Sequence, residues 1–91
     1  MGKVRDILNK ILWDKREKPE DYEVTFIHRG SYMNRKTIPY TLITRVERSW
    51  FTYRGEGGED VVIPFHRVIE IKNLKSDEVA YKSRRDDRSS P

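Results

Sequence analysis

The chain begins with a helical pattern of apolar positions. Apolar residues recur there at the i, i+3, i+4, i+7, i+8 spacing of one helix face, and the positions between them are mostly charged or polar. The stripe consists of Val4, Ile7, Leu8, Ile11 and Leu12. Pro19 cannot continue a helix, so we expect this helix to end near Lys15 and to bury its apolar face. Trp13 lies just off the stripe and is expected at the rim of the core.

From residue 22 the pattern changes to the alternation of a half-buried strand. In "DYEVTFIHR", Tyr22, Val24, Phe26 and His28 point to one face, and the residues between them point to the other. Short β-rich segments follow, separated by polar or glycine-containing connections such as "GEGGED". These segments are "IPYTLITRV", "ERSWFTYR", "VVI", "RVIEIK" and "EVAYK".

Together these patterns predict an α+β domain. We expect the N-terminal helix to pack on a twisted, mainly antiparallel sheet of five or six short strands that curls toward a barrel. Residues 1–82 form this single domain, because a chain of 91 residues has room for one compact core. Residues 83–91 contain no hydrophobic residue and are expected to form a disordered, charged tail.

Two segments of the chain resemble each other. "IPYTLITRV" begins at Ile38 and "IPFHRVIEI" begins at Ile63, and both continue from Ile-Pro-aromatic into β-branched residues at matching offsets. Proline fixes φ and removes a hydrogen-bond donor, so each segment predicts a strand end, a bend and a return strand. Coincidence in a short β-rich chain is the alternative. Only the second bend contains histidine and arginine.

Composition narrows the class of protein. The chain has no cysteine, which excludes a disulfide framework and thiolate chemistry, and no apolar run long enough to span a membrane. The N-terminal segment lacks a secretory signal, so we expect a cytoplasmic protein. Glutamine is absent while lysine, arginine and glutamate are abundant, a balance typical of thermophile proteins.

The net charge of +4 is concentrated in the middle of the chain. Residues 22–55 contain six basic side chains and two acidic ones, whereas residues 56–83 contain four and six. A local excess of positive charge favours an anionic partner, and nucleic acid is the commonest. The alternative is a solvated strand face with a basic rim.

Both histidines of the chain are followed directly by arginine, in the pairs His28–Arg29 and His66–Arg67. Each pair stands at the end of a predicted strand, where functional side chains often emerge. A guanidinium group can bind two phosphate oxygens at once, and an imidazole can donate or exchange a proton near neutral pH, so the pair is suited to binding phosphate. Histidines at strand ends also often serve only to bond a backbone carbonyl, and that ordinary interpretation remains open.

Aromatic residues add to the binding interpretation. Trp50, Phe51 and Tyr53 lie between Arg48 and Arg54. Consecutive strand residues face opposite sides, so Trp50 and Phe51 cannot both enter the same core face. One of them would then be a stacking platform for a base, unless the sheet is covered on both faces. The acidic "GEGGED" loop matches no calcium-loop spacing, and we predict no metal and no other cofactor.

Three stretches of the chain carry a resemblance to a known family. "VRDILNKILWDKREKPEDYEVTFIHRG", "IPFHRVIEIK" and "EVAYK" resemble a family of small, mostly archaeal proteins named for an RNA cyclic-group end recognition domain, and the resemblance covers about residues 3–82. The resemblance implies binding of RNA ends that carry a 2′,3′-cyclic phosphate, in the company of RNA-processing enzymes. Carried over by position, the polar motif residues are His28, Arg29, His66 and Arg67.

Three hypotheses follow. In the first, the protein is a non-catalytic RNA-binding module for single-stranded ends; Arg29 and Arg67 clamp a terminal phosphate and His66 donates to it. Further contacts would come from backbone-tracking cations and a stacking aromatic: Arg35, Lys36, Arg48, Arg54, and Trp50 or Tyr53. In the second, His28 and His66 are the acid and base of a metal-free cyclic phosphodiesterase or ribonuclease. In the third, an exposed strand edge binds a protein. The oligomeric state stays open.

Overall fold

A computed structural model describes residues 3–30 and 32–83. Within these ranges the chain forms one α-helix and seven β-strands, linked by short turns. The elements are α1 (Lys3–Trp13), β1 (Tyr22–Ile27), β2 (Arg35–Pro39), β3 (Ile43–Val46), β4 (Trp50–Arg54), β5 (Asp60–Pro64), β6 (Val68–Asn73) and β7 (Glu78–Lys82). The residues beyond Ser83, which comprise most of the predicted tail, lie outside the described part of the chain.

The strands form two antiparallel sheets instead of the one predicted. The four-stranded sheet has the order β2-β1-β6-β7, and the three-stranded sheet has the order β3-β4-β5. The α+β class, the N-terminal helix and the antiparallel pairing are confirmed. The prediction of a single, barrel-like sheet of five or six strands was wrong, and the described strands form no closed barrel. The difference arises because the chain changes sheet twice, once after β2 and once after β5.

Both sheet changes occur at the repeated Ile-Pro-aromatic segments. Pro39 has φ −68° and ψ 143°, and Pro64 has φ −64° and ψ 146°. Each proline is followed by a single 3₁₀ turn, which we call the first corner (Tyr40–Leu42) and the second corner (Phe65–Arg67). In each corner the next residue donates its N–H to the carbonyl of the first turn residue. The predicted repeat of one bend is therefore confirmed.

The core lies between the helix and the two sheets. Its largest fully buried side chains are Tyr40, Phe26, Phe51, Leu8, Ile71, Val24 and Val68. Two aromatic rings pack against Phe26 in the core, with Phe51 edge-on at 6.2 Å and Tyr53 tilted at 5.6 Å between ring centroids. The Tyr40 hydroxyl donates to the Leu8 carbonyl at 2.5 Å, which ties the first corner to the helix.

The helix buries a narrower stripe than predicted. Val4, Leu8 and Ile11 are buried, but Leu12 is 48% exposed and Trp13 is 76% exposed. Successive helix residues point about 100° apart, so a face centred on Leu8 and Ile11 turns Leu12 toward its edge. The helix also ends at Trp13, two residues before the predicted end. Among the described residues, no helix is long and apolar enough to cross a membrane.

Candidate nucleic-acid interface

The register of the four-stranded sheet brings most of the predicted site residues to one end. At this end β1 and β7 finish while β2 and β6 begin, because Ile27 pairs with Arg35, Phe26 with Val68, and Lys82 with Glu70. We call this the basic end. Seven residues at or just beyond these strand ends carry guanidinium, ammonium or imidazole groups: His28, Arg29, Arg35, Lys36, His66, Arg67 and Lys82.

The other end of the same sheet has a different charge balance. Asp21, Glu23, Asp77 and Glu78 lie there, at the start of β1 and around the turn from β6 to β7. The ammonium group of Lys72 lies 3.1 Å from the Asp77 carboxylate, and this hydrogen bond raises the pKa of Lys72. Strands of this length separate the two ends by about 15–20 Å, so an approaching anion meets a polarised sheet.

The turn between β1 and β2 positions the first His-Arg pair. The His28 backbone N–H donates to the Asn34 carbonyl at 2.8 Å, and the half-buried imidazole stands edge-on to Phe26 at 6.2 Å. Gly30, with φ 90°, then turns the chain and leaves Arg29 exposed. The Lys36 ammonium lies 5.9 Å from the Tyr53 ring centroid, within cation–π range.

The second corner forms one wall of an open depression of about 480 Å³. Its other walls are the first turn of α1 and the last residues of β7. The lining residues are Lys3, Val4, Arg5, Phe65, His66, Tyr81, Lys82 and Ser83. Three of these are cations and one is a histidine, while no described residue in the lining carries a carboxylate. We call this the basic depression.

A second depression, of about 370 Å³, lies near the other end of the sheet. It is lined by Arg16, Glu17, Lys18, Asp21, Asn73, Lys75 and Ser76. Two carboxylates therefore stand among its three cations. The two depressions are similar in size and differ in charge, so the second serves as an internal comparison for the first.

Trp50 and Arg48 lie beside the second corner. Trp50 pairs with Pro64, and the Ser49 carbonyl accepts a hydrogen bond from the Phe65 N–H at 3.0 Å. Trp50 is 42% exposed whereas Phe51 is fully buried, so the two residues do face opposite sides of the sheet. Trp50 is therefore partly exposed next to the corner that carries His66.

Tyr53 and Arg54 fit the predicted RNA contacts less well than Trp50 and Arg48. Tyr53 is only 2% exposed and packs against Phe26, so the prediction that it stacks a base conflicts with its burial. The cause is the strand alternation, which turns Tyr53 inward with Phe51. Arg54 is exposed but pairs in register with Asp60, at the end of β4 farthest from Trp50.

The two His-Arg pairs thus share one end of the sheet but differ in surroundings. His66 lines the basic depression; His28, Arg29 and Arg67 are not among its lining residues. The predicted site residues did not include Lys3 and Arg5, which are exposed on the helix, or Lys82 at the end of β7. No local pattern marks these residues, since their proximity to His66 depends on the docking of α1 and β7.

Comparison with known proteins places the chain in a family. Residues 1–83 match the family described as the MJ1316 RNA cyclic group end recognition domain. A UPF0248 protein of Thermococcus sibiricus is 39% identical over 84 residues, which cover 91% of this chain and 87% of that protein. The UPF0248 protein MJ1316 of Methanocaldococcus jannaschii is 37% identical over 81 residues, which cover 89% and 94%.

A third relative gives the same result. A UPF0248 protein of Methanococcus maripaludis strain C7 is 37% identical over 81 residues, which cover 89% of this chain and 99% of that protein. No solved structure gives a significant match. As its sequence motifs predicted, the chain belongs to the MJ1316 RNA cyclic group end recognition domain family.

Proposed function

We propose that this protein is a non-catalytic RNA-binding module that recognises RNA termini carrying a 2′,3′-cyclic phosphate. The observation that carries the proposal is the gathering of seven basic or imidazole residues at one end of the four-stranded sheet. Phosphate contacts supply most of the affinity of nucleic-acid-binding proteins, so such a cluster favours RNA as the ligand. The family description, which names RNA end recognition, supports the same assignment.

Different residues of the interface would take different tasks. Arg29 follows the end of β1 and Arg67 precedes the start of β6; both are exposed, and their planar guanidinium groups can each donate two hydrogen bonds to phosphate oxygens. Arg35, Lys36 and Arg48 would contact the RNA backbone. Trp50 would stack on a base, because it exposes a ring next to the second corner.

The arrangement of the histidines favours binding over turnover. Acid–base cleavage by two histidines requires both imidazoles to reach the same phosphate within hydrogen-bond distance. His66 lines the basic depression, whereas His28 stands against Phe26 and is not part of that lining. We therefore assign His66 to phosphate binding and His28 to the support of the β1–β2 turn. Such a module would act in the cytoplasm beside an enzyme that makes or consumes cyclic ends.

The test is binding to one short single-stranded RNA with three ends: 2′,3′-cyclic phosphate, 3′-phosphate and 3′-hydroxyl. Affinities are measured at two salt concentrations for the parent, for Arg67→Ala, and for Arg16→Ala as the matched control away from the basic end. We expect preference for the cyclic end, intact RNA after recovery, and weaker binding in Arg67→Ala only. Each lost phosphate contact should lower the salt slope by about 0.7.

Two results would contradict the proposal. Equal weak binding to all three ends, vanishing with salt, would leave only a basic surface. Recovery of opened RNA from the cyclic substrate would instead support the phosphodiesterase alternative, and His28→Ala and His66→Ala would then both abolish turnover.

A further inference from the structure

We infer that the basic depression holds the terminal phosphate group of the RNA, with Arg5, His66 and Lys82 as its main contacts. The inference rests on the proposed function. It adds residues of α1 and β7 to the binding site of the terminal phosphate. The inferred site extends beyond the basic end of the sheet, because Lys3 and Arg5 belong to the helix and not to any strand.

The backbone around the depression is held in place on all three sides. Val4, between the two helix cations, is buried in the core. The second corner leads directly into Val68, which is buried and pairs with Phe26. The end of β7 is fixed by the pairing of Lys82 with Glu70 and by a 2.7 Å hydrogen bond from the Ser83 N–H to the Ile69 carbonyl. The cationic side chains therefore project from ordered positions toward one space.

The size and lining suit a terminal nucleotide. A volume of about 480 Å³ lies within the range of roughly 300–1,000 Å³ typical of small-ligand sites. Lys3, Arg5 and Lys82 supply positive charge, and His66 supplies an imidazole that can donate to a phosphate oxygen. The half-buried Phe65 and Tyr81 add apolar surface for a ribose.

The second depression differs from the basic depression in the charge of its lining. The second depression also contains arginine and lysine side chains, but Glu17 and Asp21 in its lining would repel a phosphate. Removing one arginine and one lysine from each depression therefore tests whether RNA binding depends on where the cations lie or only on the total positive charge.

The experiment compares two double variants. Arg5→Ala/Lys82→Ala removes two cations from the basic depression, and Arg16→Ala/Lys75→Ala removes the same pair of residue types from the second depression. All four residues are exposed, so both variants should fold, and far-UV circular dichroism with thermal melting confirms it. Each protein is titrated with the RNA bearing a 2′,3′-cyclic phosphate, a 3′-phosphate or a 3′-hydroxyl.

We expect the basic-depression variant to bind phosphate-ended RNA at least about tenfold more weakly, and to lose the preference over the hydroxyl end. The control variant should keep that preference. If the parent prefers phosphate-ended RNA and the basic-depression variant keeps the preference, the inference is wrong while the proposed function stands.

A second probe tests the phosphate site separately from RNA-end recognition, for the case in which the parent shows no preference among the three RNA ends. Adenosine 2′,3′-cyclic monophosphate is added alone, and backbone amide shifts are followed by NMR. Shifts at Phe65–Arg67 and Tyr81–Ser83, without shifts around Asn73, would uphold the anion site even if the parent shows no preference among RNA ends. No shifts at the basic depression under those conditions would overturn the inference together with the proposed function.

Discussion

Tyr40 joins the first corner to the helix, and we expect the loss of its hydroxyl to lower the free energy of unfolding by an amount that depends on pH. The side chain is 2% exposed, and its hydroxyl donates to the Leu8 carbonyl at 2.5 Å. Tyr40→Phe keeps the ring in the core and deletes only this hydrogen bond. The helix that it ties down also forms a wall of the basic depression.

The size of the effect at neutral pH follows from a single lost hydrogen bond. Such a bond contributes about 1 kcal/mol net, within about 0.5 kcal/mol. In an α-helix the Leu8 carbonyl also accepts a hydrogen bond from the amide four residues later. The carbonyl therefore keeps one partner when the Tyr40 hydroxyl is removed, which limits the energetic penalty. We expect the free energy of unfolding to fall by about 1 to 1.5 kcal/mol and the melting temperature by roughly 4 to 12 °C.

At alkaline pH the difference should shrink. Burial raises the pKa of Tyr40 from 10.0 to about 12. A group whose pKa is raised in the folded state contributes stability that is fully present below the unfolded pKa and is lost as pH rises through the folded pKa. Between about pH 8 and about pH 11 the parent should lose up to about 1.4 kcal/mol relative to Tyr40→Phe, so that the two unfold with similar free energies near pH 11.

The assay is chemical denaturation followed by far-UV circular dichroism at several pH values. Tyr53→Phe is the matched control, because Tyr53 is equally buried and its hydroxyl makes no hydrogen bond to a described residue. If the difference in free energy of unfolding between the parent and Tyr40→Phe stays constant from about pH 8 to about pH 11, burial does not raise the pKa of Tyr40 as argued. An equal loss in Tyr53→Phe would refute the assignment of the effect to the Leu8 contact.

Two further predictions concern the β4–β5 loop and the stacking surface. Gly58 has φ +85°, so Gly58→Ala should lower the free energy of unfolding by about 1 kcal/mol. In Gly57→Ala the new methyl group meets only the carboxylate end of the exposed Glu59 side chain, which can rotate away, so thermal melting should show little change. Equal losses of stability in Gly57→Ala and Gly58→Ala would contradict the left-handed conformation assigned to Gly58. Trp50→Ala should weaken RNA binding by about 5- to 100-fold, the range expected for one lost stacking contact. Trp13→Ala removes a more exposed tryptophan from the helix and should leave the affinity unchanged, which fluorescence anisotropy can check.

Local features of the chain were predictable because their causes are local. The helix followed from apolar periodicity, and the two corners followed from proline, which imposes nearly the same φ wherever it stands. The exposure of Leu12 was not predictable in this way. Periodicity defines a stripe on the helix, but only the packing against the sheets decides which edge of the stripe is covered.

The sequence by itself determined the N-terminal helix, the two proline bends and the chemical types at the candidate site, including the two His-Arg pairs. Only the tertiary structure decided that the strands divide into two sheets and that Trp50 is exposed while Tyr53 is buried. It also brought Arg5, His66 and Lys82 around one depression. These features depend on which strands pair and where the helix docks. Such long-range contacts are set by the burial of the whole core, and short-range sequence patterns carry little information about them.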